Sequence, residues 1–334
     1  MAKAGSKKLR VGILGCGGIA NAHAKAILQI PDYDLAAFCD VDKTRAENFQ
    51  KEYGKGQGEV FSDYTKMIEK SDLCMLTICL PPFAHEDGVE LAAKNGVHIM
   101  IEKPIALTLE KAKSMVDAVK KGKVQSQVGF MFRFLDVIER IKDLTAAGKG
   151  PGIQYVGRYM CNSLHSPWWR EKSKSGGQIV EQIIHQFDLC RYLLGKPKQV
   201  FAYTGNLAHQ NVERYTVEDV SGTVIRFDSG AVGIIAGTNC GIPNQWRAPS
   251  TYCARAFTAM WGDGPTQVVH TDRDPVLTET IESGKNITLA EHLDLLKAIK
   301  EGGSTRTPMS EGYETLRLVL GAYQSSESGK PVEL

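Results

Sequence analysis

Arg10-Val11-Gly12-Ile13-Leu14-Gly15-Cys16-Gly17-Gly18-Ile19-Ala20 decides how this chain is read. A short apolar run ends in glycine. A G-x-G-x-x-A turn follows at 15–20, and a helical pattern opens at Ile19 with Ala24, Ile27 and Leu28 on one face. This order predicts a buried parallel strand, a tight turn and a helix. Gly15 suits the turn, Gly17 lets the backbone approach a pyrophosphate, and small Ala20 lets helix and strand pack closely. The helix N-terminus then faces the anion. Asp40 lies 23 residues after Gly17, at the end of the next strand-like stretch. A carboxylate there takes the ribose hydroxyls. The predicted dinucleotide contacts are Gly15, Cys16, Gly17, Gly18, Ile19, Ala20, Asp40 and Val41. A carboxylate repels a 2′-phosphate, so NAD is expected over NADP. Arg45 either faces such a phosphate or is a surface helix residue. The plainer alternative for the whole motif is a structural glycine turn with an exposed aspartate.

Outward from this stretch, strand and helix alternate. Strands are predicted at 34–39, 60–61, 73–80, 97–101 and 124–129, and helices at 43–53, 65–70, 83–95 and 109–120. The spacing suits a doubly wound parallel sheet, so residues 1–129 are expected to form a Rossmann domain. After Phe130 the rhythm changes. Strand-like stretches at 153–161, 199–207, 217–227, 231–238 and 252–261 follow one another, divided by turns such as Asp228-Ser229-Gly230. Helices are predicted at 134–147, 177–194, 289–301 and 311–329. Residues 130–334 are therefore read as an α+β domain with a mostly antiparallel open sheet, whose last helix could pack back on the first domain. Two domains also suit a chain of 334 residues.

Bulk properties exclude other classes. There are 40 basic and 38 acidic residues, so neither nucleic acid nor an acidic membrane is an expected partner. No apolar run approaches the ~18 residues of a membrane span. Met1 to Arg10 carries four basic residues with no separate apolar signal segment. Cys16, Cys39, Cys74, Cys79, Cys161, Cys190, Cys240 and Cys253 form no zinc-like cluster and read as reduced thiols. The expectation is a cytoplasmic protein without a metal.

Leu80-Pro81-Pro82-Phe83-Ala84-His85 and Glu102-Lys103-Pro104 each follow a strand. With the glycine turn and Asp40, they resemble the Gfo/Idh/MocA oxidoreductases, which include glucose–fructose oxidoreductase and inositol dehydrogenase. Gly129-Phe130-Met131-Phe132-Arg133-Phe134, then Trp169-Arg170, Gly176-Gly177, Glu181, His185 and Asp188, extend the resemblance over nearly the whole chain. It implies that Leu80, Pro81, Pro82, His85, Glu102, Lys103 and Arg133 line the cofactor, that Lys103 touches both substrate and nicotinamide ribose, and that the Lys103–Pro104 bond is cis. The family usually has Asp where this chain has Glu181 and Gly where it has Ile183. Both changes are expected to fill space near the substrate.

Glu181, His185 and Asp188 are spaced i, i+4, i+7 and so share a helix face. His185 is the expected base, because an imidazole titrates near neutrality. Lys103 would stabilise negative charge on the reacting oxygen. Glu181 would orient His185 or bind a neighbouring hydroxyl. Arg133, Asn162 and Arg170 could bind further hydroxyls, and Trp168 and Trp169 could stack on a sugar or be partial core. His165, His209, His270 and His292 read as surface or loop residues. The predicted activity is hydride transfer between NAD and a secondary alcohol of a sugar, cyclitol or glycoside. Two alternatives stay open: a glycosidase or lyase using transient oxidation, and a non-enzymatic dinucleotide-binding regulator. An exposed second-domain sheet would suit a homodimer or homotetramer.

Overall fold

The structure, a computed structural model, describes residues 8–334. Most of the basic N-terminal stretch lies outside the described residues. The chain divides into two compact units, residues 8–131 with Asn286–Tyr313, and Phe132–Lys285 with Glu314–Leu334. A single cut at 129/130 is therefore corrected, because 286–313 returns to the first unit.

The first unit holds β1 (Leu9–Leu14), α1 (Ala20–Ile27), β2 (Tyr33–Cys39), α2 (Lys43–Glu52), β3 (Glu59–Phe61), α3 (Tyr64–Lys70), β4 (Met75–Ile78), α4 (Gly88–Lys94), β5 (His98–Ile101), α5 (Leu109–Gly122) and β6 (Ser126–Val128). All strands are parallel, in the order β3-β2-β1-β4-β5-β6. The order reverses beside β1, and ligands bind in the crevice at such a switch point. The helix expected over 83–95 is instead a 3₁₀ turn at Pro82–Ala84 and then α4. Glu86, at φ 40°, breaks the helical run between them. On α1, Leu28 is exposed and His23 takes the inward place.

The second unit holds α6 (Asp136–Ala146), β7 (Gly152–Met160), α7 (Lys172–Ser175), α8 (Ile184–Leu194), β8 (Pro197–Gly205), β9 (Val220–Phe227), β10 (Val232–Thr238), β11 (Ser250–Ala254), β12 (Phe257–Trp261), β13 (Gln267–His270) and β14 (Leu277–Thr280). Two helices close the chain, α9 (Ile287–Glu301) in the first unit and α10 (Met309–Ser328), which begins there; β15 (Val332–Glu333) follows in the second. The nine strands run β14-β13-β12-β11-β7-β10-β9-β8-β15. The sheet is mostly antiparallel, as expected, but β7 and β10 are parallel. The single strand expected over 252–261 is a hairpin of β11 and β12, and β13, β14 and β15 were not foreseen. Alternation on β9 is complete: Ser221, Thr223, Ile225 and Phe227 face inward, while Val220, Gly222, Val224 and Arg226 face out. The helix expected over 177–194 opens as a π-helical stretch at Ile179–Ile183 before α8.

Candidate functional site

In the first unit the G-x-G-x-x-A turn joins β1 to α1. Gly15 has φ 89°, and a Cβ there would stand 2.7 Å from the Cys79 carbonyl, so only glycine fits. Nothing lies within 4 Å of where a Cβ would sit on Gly17 or Gly18. No side chain caps the start of α1. Open backbone N–H groups at a helix start form a cradle for a pyrophosphate. Asp40 is buried, and its carboxylate accepts from Cys16 N (2.9 Å) and Asp42 N (2.9 Å). It therefore ties the glycine turn to the end of β2. Val41 and Ile19 are exposed beside it. Arg45 pairs with Asp42 at 3.5 Å on the surface, which supports its blander reading. The residues present fit a dinucleotide with an unphosphorylated ribose.

Beyond β4 and β5 lie the other two predicted motifs. Pro82 is buried and Leu80 and Pro81 are half-buried, in the turn after β4. His85 is buried, and its ring nitrogens face the carbonyls of Ile105 (2.7 Å) and Leu80 (3.1 Å). Burial pushes its pKa down, against the pull of those two carbonyls. His85 thus joins the Pro81-Pro82 turn to the segment after Lys103, and both its ring nitrogens meet backbone carbonyls. The Lys103–Pro104 bond is cis. Glu102 accepts from Lys103 N (3.2 Å) and meets His23 Nε2 at 2.9 Å, so its carboxylate is committed to protein groups.

In the second unit, Arg133 is 1% exposed and donates twice to Asp188, from Nε at 2.8 Å and Nη2 at 2.6 Å. Thr315 Oγ1 donates to the same carboxylate at 3.0 Å, and the guanidinium lies 4.4 Å from the Tyr192 ring centroid. This internal charge pair commits Nε and Nη2 of Arg133 to Asp188 rather than to a ligand. His185 is buried on α8, its ring 4.8 Å from that of Phe132. Glu181 is half-buried and accepts from Trp169 Nε1 at 2.8 Å. That bond accounts for a carboxylate at this position in physical terms. Trp169 is 2% exposed in a core cluster with Tyr215 and Val217, and Trp168 packs against the same cluster. Trp169 is therefore core, the second of the two readings, while Trp168 is half-buried at the edge of that cluster. Arg170 donates to the Leu164 carbonyl (2.9 Å) and Asn162 to the Gly241 carbonyl (3.0 Å), so both brace loops. Ile183 is fully buried, and a Cβ on Gly237 of β10 would collide with it. It fills a notch over the sheet.

Of the four histidines read as surface or loop residues, His165 and His209 lie in loops, while His270 on β13 and His292 on α9 are buried and correct that reading. His165 is half-buried, with ring centroids 4.2 Å from Trp169 and 4.9 Å from Trp246, and one ring nitrogen lies 2.6 Å from Gln182 Nε2. His270 is buried against Glu279 at 3.2 Å. His292 is fully buried beside His23. His209 lies within 4.8 Å of Asp219 and Cys240, a grouping able to hold a metal. Burial alone would raise the pKa of Asp219, but bonds from the N–H groups of Leu207, Ala208 and His209 outweigh it and hold the carboxyl low. Asp219 is thereby occupied as the anchor of the 207–209 loop. The histidines on α1 and α9 had a readable signal, since each interrupts an apolar helix stripe and a buried imidazole requires a partner.

The comparisons agree with this geometry. The family description "Oxidoreductase family, NAD-binding Rossmann fold" matches residues 9–130, and "GFO/IDH/MocA C-terminal domain" matches 138–248. The chain is 33% identical over 231 residues to scyllo-inositol 2-dehydrogenase (NAD(+)) of Bacillus subtilis, covering 68% of this chain and 66% of that protein. It is 26% identical over 332 residues to myo-inositol 2-dehydrogenase of Thermotoga maritima, covering 98% of each. A solved levoglucosan dehydrogenase in complex with NADH shares the fold, with TM-score 0.90 at 24% identity over 98% of this chain and 99% of that one. The chain belongs to the Gfo/Idh/MocA oxidoreductase family, with an NAD-binding Rossmann domain followed by the family's C-terminal domain.

Proposed function

We propose that this protein is an NAD-dependent dehydrogenase acting on a secondary alcohol of a sugar, cyclitol or glycoside. The observation that carries the reading is Lys103, placed by a cis Lys–Pro turn at the carboxyl end of β5 in the same unit as the open glycine cradle. When bound, NAD supplies the hydride acceptor. Lys103 as an ammonium donates to the reacting oxygen and stabilises negative charge there. His185 takes the hydroxyl proton. Glu181, locked by the Trp169 indole, orients a substrate hydroxyl or His185. Asp40 selects the unphosphorylated ribose.

Relatives named as inositol 2-dehydrogenases, D-glucoside 3-dehydrogenase of Escherichia coli and levoglucosan dehydrogenase of Pseudarthrobacter phenanthrenivorans favour a polyhydroxylated ring as substrate. No helix among the described residues is long and apolar enough to cross a membrane. All eight cysteines are free thiols, which supports a reducing, cytoplasmic setting. One row on the sheet's open face crosses six strands: Phe201, Val224, Ile234, Val156, Thr251 and Met260 lie in register. Three of these apolar residues, Val224, Ile234 and Met260, are exposed, and such a patch supports a homodimer.

The test is a panel of inositols, aldoses and methyl glycosides incubated with NAD, followed by NADH absorbance. Stoichiometric NADH is expected with at least one ring polyol. Product formed without net NADH would replace this reading with transient oxidation. Binding of NAD with no chemistry on any member would favour a regulator.

A further inference from the structure

We propose that His23 and His292 are positioning residues for Lys103, acting through Glu102. The inference rests on the reading of Lys103 as the catalytic ammonium. His23 is 1% exposed and His292 0%. His23 stands on α1, one turn past the glycine cradle. Its Nε2 is 2.9 Å from Glu102 Oε1, and its Nδ1 is 2.9 Å from His292 Nε2 on α9. The two rings meet edge to face at 5.1 Å. Tyr33 donates to the His292 carbonyl at 3.2 Å, fixing the far end. At the near end, Glu102 Oε2 accepts from Lys103 N. Gly129 leaves the carboxylate room, since a Cβ there would stand 3.1 Å from both oxygens.

One proton arrangement satisfies every contact in the chain. His292 is held neutral by burial and by the neighbouring His23. A neutral His292 donates from Nε2 to His23 Nδ1, and His23 then donates from Nε2 to Glu102. His23 and the Lys103 amide then both donate to the carboxylate and engage its two oxygens. The backbone that carries Lys103 is thus tied to the helix whose start cradles the pyrophosphate. A cluster that only packed α1 on α9 would have no reason to end on the Lys103 amide.

The test uses the NAD-loaded protein and the variants His23→Leu, His292→Leu and His292→Gln. Gln keeps a donor where His292 Nε2 stands. A shift of ~1 Å at a catalytic group can cost ~10²-fold, so His23→Leu is expected to lower kcat by roughly 10–100-fold. NAD affinity should stay within about threefold of wild type, because the cradle is untouched. His292→Gln should recover most of what His292→Leu loses. The rate at which acetic anhydride labels the Lys103 amine, followed by mass spectrometry, should change in His23→Leu. This readout does not depend on turnover. If His23→Leu fails to fold, His23→Phe, which keeps a ring and removes both nitrogens, carries the same comparison. The proposal is overturned if both Leu variants only lower Tm, with kcat, KM and Lys103 labelling at wild-type values, or if Gln at 292 rescues nothing. Absence of turnover by the wild type on every polyol would sink the dehydrogenase reading instead, and the labelling result would still decide the positioning role.

Discussion

At the scale of single residues, chemistry follows from which polar groups the fold leaves uncommitted. Arg133 entered the expected site through the family resemblance, and Asp188 through its place beside Glu181 and His185 on one face of an apolar helix. The structure satisfies them with each other. Removing one partner of such a buried pair leaves an uncompensated charge and costs about 3–5 kcal/mol. Arg133→Met is therefore expected to show in urea denaturation as a large loss of stability; an effect on KM alone would restore its binding role. Asp40 is different, since the proposed function gives its carboxylate a second task at the ribose. Asp40→Ala removes charge-assisted bonds worth about 1.5–3 kcal/mol each, so kcat/KM for NAD should fall at least tenfold relative to NADP. A wild type that already prefers NADP would refute the assignment. Lys103→Met should abolish turnover with NAD affinity nearly intact, and titration of NAD by protein fluorescence separates the two. His185→Asn should cut kcat by ~10²–10⁴ and remove an inflection from its pH profile. A retained inflection would pass the proton role to another group, with Lys103 the first candidate.

At the scale of elements, the π-helical stretch before α8 and the glycine of β10 belong together. Ile183 fills the notch that Gly237 leaves, so the bulkier helix residue is matched by an absent side chain on the sheet. Ile183→Ala should cost about 2–5 kcal/mol as a cavity, and Gly237→Ala about 1–3 kcal/mol by overpacking. Combined, they should cost less than the sum, because each relieves the other. Additive values in urea titrations would show that the two do not share a space. The second-unit hairpins were harder to read. The Arg255-Ala256 corner carries neither Gly nor Pro, so the sequence ran β11 and β12 into one strand. The break after Pro82–Ala84 was hidden for the same reason, since Glu86 gives no compositional sign of its positive φ.

At the scale of the molecule, the discontinuous first unit explains why a single boundary failed. Leu295 and Leu296 of α9 join the core cluster of Ala20, Ala24 and Ile27 on α1. Segment 305–307 covers the β6 edge, with Val128 N donating to the Thr307 carbonyl at 2.7 Å and Thr307 Oγ1 to the Val128 carbonyl at 2.7 Å. A sheet edge gains by being covered, whatever part of the chain supplies the cover. The open apolar row on the other sheet makes a separate prediction. Val224→Lys with Ile234→Lys should shift the protein to a monomer in light scattering after gel filtration. A wild type that is monomeric at micromolar concentration would remove the dimer.

The Rossmann unit could be read from the chain because its signals are local: a strand of buried apolar residues, a turn only glycine can make, and a carboxylate at a set distance. The doubly wound parallel sheet, the cofactor and the chemistry followed from those few residues and the Glu-Lys-Pro element. The partners of polar side chains could not be read, because burial is decided by segments far apart in sequence. Glu102, His23 and His292 come from three such segments, and so do Arg133, Asp188 and Thr315. The sequence shows that these groups are polar. Only the packed structure decides which of them face each other out of water, where an unmade hydrogen bond is costly.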